Sequence, residues 1–267
     1  MKFGFIHKKC GDFEYLTSPL LEECGCKHCF TTRLGGVSKE DYLSSMNLGF
    51  LRGDKEEYVH ENVSIVCSAL SFTEENLSRT NQVHENKVAV LSEPVKVSLG
   101  CDALATDKPG IPLLSTSADC VPVILYDREK NVCASIHSGW KGTVKKITAE
   151  AVKTLVSEFG SNPADIIAAI GPSIGKCCFQ VKKDVYDAFS ETFSDVSFIK
   201  EEGDGIHYRA DLWEAVRRTL LEAGLDDENI SLAGECTVCN NHLYFSSRAG
   251  KGKFGSLAAI VELQKRK

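Results

Sequence analysis

The sequence predicts a mixed α/β protein, a single domain in which mixed β-sheets are flanked by helices. Two observations carry this expectation. Short Val/Ile/Leu-rich runs of strand length alternate with longer segments whose apolar residues recur at helical spacing. No repeat, low-complexity tract or linker interrupts them, so the 267 residues read as one substantial domain.

In chain order, Phe30-Thr31-Thr32-Arg33 reads as a short strand that runs into the glycine-containing loop 34–38. Asp54 to Leu70 reads as a helix capped by Asp54, with Tyr58, Val59, Val63, Val66 and Leu70 on one stripe and His60 off it, at the surface. Lys87 to Leu91 is strand-like. Val121 to Tyr126 and Asn131 to His137 read as two buried strands, and Asp127-Arg128-Glu129-Lys130 gives them a polar connection. Thr143 then caps an amphipathic helix reaching Phe159, with Val144, Ile147, Ala151, Val152, Leu155 and Val156 at helical spacing; Gly160 to Pro163 ends it. A strand over Asp165–Ile170, a helix over Val181–Phe189 and an exposed turn at 201–205 follow. Asp211-Leu212-Trp213-Glu214 resembles a capping box, opening a helix with Leu212, Val216, Leu220 and Leu221 inward and Trp213 as a core anchor. Ile230–Ala233 and Leu257–Leu263 close the chain as strands.

A net charge of −6 argues against a nucleic-acid or anionic-membrane partner, and no apolar run approaches membrane-spanning length. The first residues lack the pattern of a secretory signal, so a cytoplasmic location is expected. In a reducing compartment, twelve cysteines are expected to be free thiols or metal ligands. Cys24, Cys26, His28 and Cys29 are close enough in sequence to suggest half of a second metal site or a redox pair. Cys236 and Cys239 have metal-knuckle spacing and could supply the other half, or could be core packing beside Tyr244 and Phe245. Cys177-Cys178 reads as a buried turn.

The chemistry concentrates where an antiparallel pairing of the two central strands brings Cys120 and His137 to the same end of a sheet. Such a pair can be a nucleophile and its base, two metal ligands, or two core residues. His84, just before another strand-like run, adds a second imidazole, and two histidines with one thiolate make an accepted catalytic zinc set whose fourth position stays open. Other polar residues are candidates for the site. Arg33 beside glycines could grip an anion, and Gln82 could bind substrate or orient His84. Asp102 and Asp119 could orient a ligand histidine or accept a substrate hydroxyl.

NQVH at 81–84, CDALATD at 101–107, SADCVPVIL at 117–125 and HSGWKG at 137–142 closely resemble, in that order, the motifs of the YfiH-like family. FTTRLGGVS at 30–38, NLGF at 47–50, IGPSIGKCCFQV at 170–181, DLWEAVRRTL at 211–220, CTVC at 236–239 and YFSSRAGKGKFG at 244–255 extend the resemblance over almost the whole chain. The family, long named for a multicopper polyphenol oxidase or laccase domain, is described as a zinc-dependent purine nucleoside phosphorylase with adenosine deaminase activity.

The resemblance implies a YfiH-like, cysteine-hydrolase-like fold, zinc held by His84, Cys120 and His137 as catalytic residues, and purine nucleosides plus phosphate as substrates. By the same resemblance Arg33, Asn47, Gln82, Asp119, Lys141 and Arg248 are expected to contact substrate. Lys141 stands where the family carries arginine, which keeps the charge but loses the planar fork, and YFSSRAGKG departs from the family's FFSYRRDG-like segment around Arg248. Two other enzymes remain open: a metal-free cysteine hydrolase or deamidase using Cys120 and His137, and a copper-dependent polyphenol oxidase. The second is disfavoured because the seven histidines are scattered, with no His-x-His pair. A structural zinc or partner-binding protein is the non-enzymatic alternative.

Overall fold

A computed structural model describes residues 1–265. Its frame is two seven-stranded sheets. The first runs, edge to edge, through Lys2–Phe3, Ile230–Leu232, Ile166–Ile170, Val121–Asp127, Val132–Ser138, Ala103–Thr106 and Val88–Val90. The second runs through Ile6–Cys10, Phe13–Thr17, Lys27–Thr31, Leu257–Glu262, Leu113–Ser117, Ser78–Asn81 and Val97–Leu99. Both mix parallel and antiparallel pairs. A small antiparallel sheet of Gln180–Lys182, His207–Ala210 and Ile199–Glu201 lies apart from them.

Side-chain alternation along the strands explains how the layers stack. Val121, Val123 and Leu125 pack with the helices Ile147–Phe159 and Leu212–Glu222, while the intervening Ile124 and Tyr126 meet Phe30, Leu113 and Ala259 of the second sheet. On that sheet Leu257, Ala259 and Val261 face the first, whereas Ala258 and Ile260 pack with the helix Glu56–Leu70. The result is helix, sheet, sheet, helix. A strand buried on both faces tends to read as a near-continuous apolar run, which is why Val121–Asp127 and Ile166–Ile170 are so legible in the sequence.

The predicted hairpin forms with Val121 opposite Ser138 and Pro122 opposite His137. Its connection is held by Asp127, whose Oδ1 accepts the Glu129 and Lys130 amides at 2.8 and 3.0 Å. Asp211 caps its helix as expected, accepting the Glu214 amide at 3.2 Å.

Three local expectations need correction. Asp54 does not cap the helix, which starts at Glu56; its carboxylate accepts from Ser38 Oγ and Asn47 Nδ2 at 2.6 and 2.9 Å. Thr143 is no cap either, because the segment is two helices, Trp140–Val144 and Ile147–Phe159, broken where Lys146 takes a left-handed φ of 56°. Thr143 lies inside the first, with its hydroxyl on the Gly139 carbonyl at 3.0 Å. The segment at Val181 begins as a strand and turns helical only at Lys183, continuing to Thr192.

Candidate metal centre and active site

The hairpin register sets Cys120 just before one strand and His137 near the end of the other, so both reach the same end of the first sheet. His84 arrives from the loop after Ser78–Asn81 with a left-handed backbone, φ 60°. The Cys120 sulfur and a ring nitrogen from each histidine lie within 4.8 Å of one another. The two imidazoles stand edge to face, their centroids 4.8 Å apart. Gly139 closes this end. A Cβ there would meet His84 Nδ1 at 2.7 Å and Cys120 Sγ at 3.0 Å, so the backbone approaches both ligands as only glycine can.

Asp102 organises the group. Its fully buried carboxylate sits 2.8 Å from His137 Nδ1 and accepts the backbone amides of Val83, His84 and Glu85 at 3.1, 3.0 and 2.9 Å. Its carbonyl accepts the His137 amide at 2.7 Å. One residue therefore fixes the ring of one histidine and the loop of the other. With the Nδ1 proton directed at Asp102, His137 Nε2 is left for a ligand, the carboxylate–histidine arrangement common behind metal-binding imidazoles.

Electrostatics follow from this packing. Burial works against the Asp102 charge, but the His137 bond and the amides outweigh it and hold the carboxyl below its ordinary value. Burial would lower His137 too, yet Cys120 and Asp102 together raise it to about 9. Desolvation first, then His137, Lys141 and Arg52, lower His84 and favour its neutral form. A thiol and two imidazoles at this spacing suit zinc or another metal that accepts nitrogen and sulfur.

These three residues form one end of a cavity of 350 Å³. Its wall also carries Arg52 and Arg79, each set over an aromatic ring, Phe254 at 4.2 Å and Phe50 at 4.1 Å. Arg52 Nε donates to Ser256 Oγ at 3.1 Å. Neither arginine is among the residues the sequence singles out. Arg52 had a signal, lying two residues beyond the NLGF motif; Arg79 had none, being part of a polar four-residue strand.

Of the six residues expected to contact substrate, the cavity wall includes Gln82 alone. Even there the amide is committed to the chain, donating to the Thr116 carbonyl and accepting the Thr116 amide, both at 2.8 Å. Arg33 lines a different depression, with its guanidinium donating to the carbonyls of Ser44, Asn241 and Asp41. Asn47 is fully buried, and its Oδ1 accepts the Gly49 and Ser256 amides. Asp119, at φ 88°, accepts from Thr237 Oγ1 and from the Arg248 amide, both at 2.7 Å. The Arg248 side chain donates to the carbonyls of Cys178 and Gln180. Lys141 is exposed beside Trp140. Each of these groups except Lys141 has its polar atoms engaged in holding a loop, which a sequence pattern does not distinguish from contacting a substrate.

The cluster at 24–29 does not converge. His28 is buried, accepting the Ser18 amide at 2.8 Å and facing the Cys26 carbonyl at 2.9 Å, and burial lowers it to about 4. Among the described residues, Cys236 and Cys239 gather instead with Cys177 and Cys178. Cys177 is exposed, so that pair is not a buried turn.

Comparison with known proteins agrees with this architecture. A family model described as multi-copper polyphenol oxidoreductase laccase matches residues 27–264. The chain is 34% identical to a purine nucleoside phosphorylase of Bacteroides thetaiotaomicron, over 89% of this chain and 92% of that protein. It is 32% identical to purine nucleoside phosphorylase YlmD of Bacillus subtilis, covering 88% and 87%. The crystal structure of YlmD from Geobacillus stearothermophilus superposes with a TM-score of 0.91 at 29% identity, over 98% of this chain and all of that one (100%). That of the Bacillus licheniformis hypothetical protein YfiH gives 0.89 at 30%, covering 97% and 99%. The chain therefore belongs to the multi-copper polyphenol oxidoreductase laccase family, as the YfiH-like motifs of its sequence imply.

Proposed function

We propose that the protein is a purine nucleoside phosphorylase that converts adenosine, inosine or guanosine, and also methylthioadenosine, with phosphate to the free base and the 1-phosphorylated sugar, and that deaminates adenosine at the same site. The observation that carries this reading is the convergence of His84, Cys120 and His137 on one end of a cavity whose wall holds Arg52 and Arg79. The names of the relatives support it. In this reading the three residues hold zinc, which would supply Lewis-acid polarisation of an oxygen in its open position.

In phosphorolysis an oxygen of phosphate bonds to the anomeric carbon as the bond to the purine nitrogen breaks. The electron pair leaves with the purine, which takes up a proton. Arg52 and Arg79 would hold the phosphate charge, while Phe50 and Phe254 fix the two guanidiniums and offer apolar surface. Arg52 and Arg79 thus take the role first expected of Arg33 and Arg248; Lys141, close enough to influence His84, stays a weaker contributor. Deamination exchanges the adenosine amino group for the oxygen of water and releases ammonia.

A second reading draws on a specific observation. Asp102, His137 and Cys120 stand in the order carboxylate, base, nucleophile, which would suit a metal-free cysteine hydrolase. One experiment separates the two. Purified protein is analysed for bound metal and incubated with adenosine or inosine, with and without phosphate. Bound zinc, with free base and ribose 1-phosphate formed only when phosphate is present and lost in Cys120→Ala, supports the phosphorylase. Absence of nucleoside turnover, with selective electrophile labelling of Cys120 in chelator-treated protein, would replace it with the hydrolase. Copper in place of zinc would reopen the oxidase implied by the family's description.

A further inference from the structure

Outside the cavity, four cysteines from two distant parts of the chain meet. Cys177 and Cys178 follow the strand Ile166–Ile170, in the loop beginning at Gly171; Cys236 and Cys239 lie in the loop after Ile230–Leu232. All four sulfurs lie within 4.8 Å of one another, and Cys239 Sγ is 3.5 Å from both Cys177 Sγ and Cys178 Sγ. The sulfurs of a tetrahedral zinc tetrathiolate, with bonds of about 2.3 Å, stand roughly 3.8 Å apart. The cluster is already near that spacing, whereas a disulfide would need one pair to close to about 2.05 Å and would leave the other two sulfurs unused.

The backbone is shaped around the sulfurs. The Gly175 amide donates to Cys236 Sγ at 3.3 Å, and the amides of Val238 and Cys239 point at the same sulfur. Amides directed at a cysteine sulfur stabilise it as thiolate, the form in which it binds metal. Gly175 is tightly enclosed, since a Cβ would meet Trp213 at 3.0 Å and both Cys177 Sγ and Cys236 Cβ at 3.3 Å. The Arg209 and Arg248 guanidiniums donate to the Cys177 and Cys178 carbonyls and bring positive charge beside the group.

We propose that Cys177, Cys178, Cys236 and Cys239 form a second, closed metal site that takes a thiophilic divalent cation of the zinc class. The thiols release their protons on binding, and with four protein ligands no position stays open, so the site is structural. It joins the two loops directly behind the first centre. Thr237, between Cys236 and Cys239, bonds Asp119, the neighbour of Cys120.

The test is a zinc count on the full chain purified with a thiol reductant and no chelator. Two equivalents are expected in the wild type, one in Cys239→Ser and one in Cys120→Ser. X-ray absorption of the zinc left in Cys120→Ser should show sulfur neighbours alone, and this arm leaves all four cysteines intact should Cys239→Ser fail to fold. Zinc that disappears entirely in Cys120→Ser, zinc there with nitrogen neighbours, or a disulfide among the four cysteines in the reductant-purified wild type would overturn the proposal.

Discussion

Two groups of metal-competent side chains lie on either side of Asp119, and they are built differently. His84, Cys120 and His137 mix imidazole with thiol and face a cavity, and one buried carboxylate holds the two histidines. Cys177, Cys178, Cys236 and Cys239 are all sulfur and face one another, and backbone amides are directed at Cys236. An incomplete set beside a cavity leaves room for a substrate; a complete one leaves room for nothing. On the proposed reading, the first does chemistry and the second ties two loops together.

The largest expected effect tests what holds the first group. Asp102→Ala removes the partner of a buried imidazole and of three loop amides, so stability should fall by about 3–5 kcal/mol in urea unfolding. Metal should be lost from the mixed site and kept by the four cysteines; loss from both would mean that the two groups are not independent.

His28, in neither group, provides a contrast. Its pKa is about 4 in the folded chain against about 6.5 unfolded. Between those values the unfolded state binds more protons, so stability must fall as pH drops from 6.5 towards 4, by about 3 kcal/mol. His28→Gln should flatten this slope in denaturation curves at pH 7 and 4.5. An unchanged slope would assign the acid sensitivity to another group.

Gly139→Ala pushes a methyl into His84 and Cys120, and overpacking of this kind costs about 1–3 kcal/mol. Zinc affinity at the mixed site should fall while turnover per bound zinc falls with it; wild-type affinity would show that the loop yields. The smallest change separates the arginines. Arg79→Met should raise the KM for phosphate about tenfold, or 1.4 kcal/mol, at unchanged zinc content. Arg33→Met should leave that KM unaltered, and the reverse pattern would return phosphate to the Arg33 depression.

The two groups also differ in how far the sequence reveals them. Cys120 and His137 terminate apolar runs whose pairing follows from strand length and a short polar connection, so their meeting can be read directly. The four cysteines are two pairs, each visible, but joining them requires knowing that Ile166–Ile170 and Ile230–Leu232 are parallel neighbours. Nothing local encodes that pairing. Arg79 was hidden for the same reason, since Ser78–Asn81 joins its sheet through parallel contacts with Val97–Leu99 and Leu113–Ser117. Asn47, Asp54 and Thr143 misled in another way. Each is a residue type suited to binding or capping, but Asn47 and Asp54 are taken up by bonds to other loops and the Thr143 hydroxyl by the carbonyl four residues back.

The Asp102 carboxylate has a further consequence. Because it fixes the His137 ring and the His84 loop through bonds that involve no metal, the receptor geometry belongs to the polypeptide itself. Chelated protein should therefore stay folded around the mixed site and reload within mixing time, with the kinetics of a lock already cut rather than of a chain that must fold around its ion.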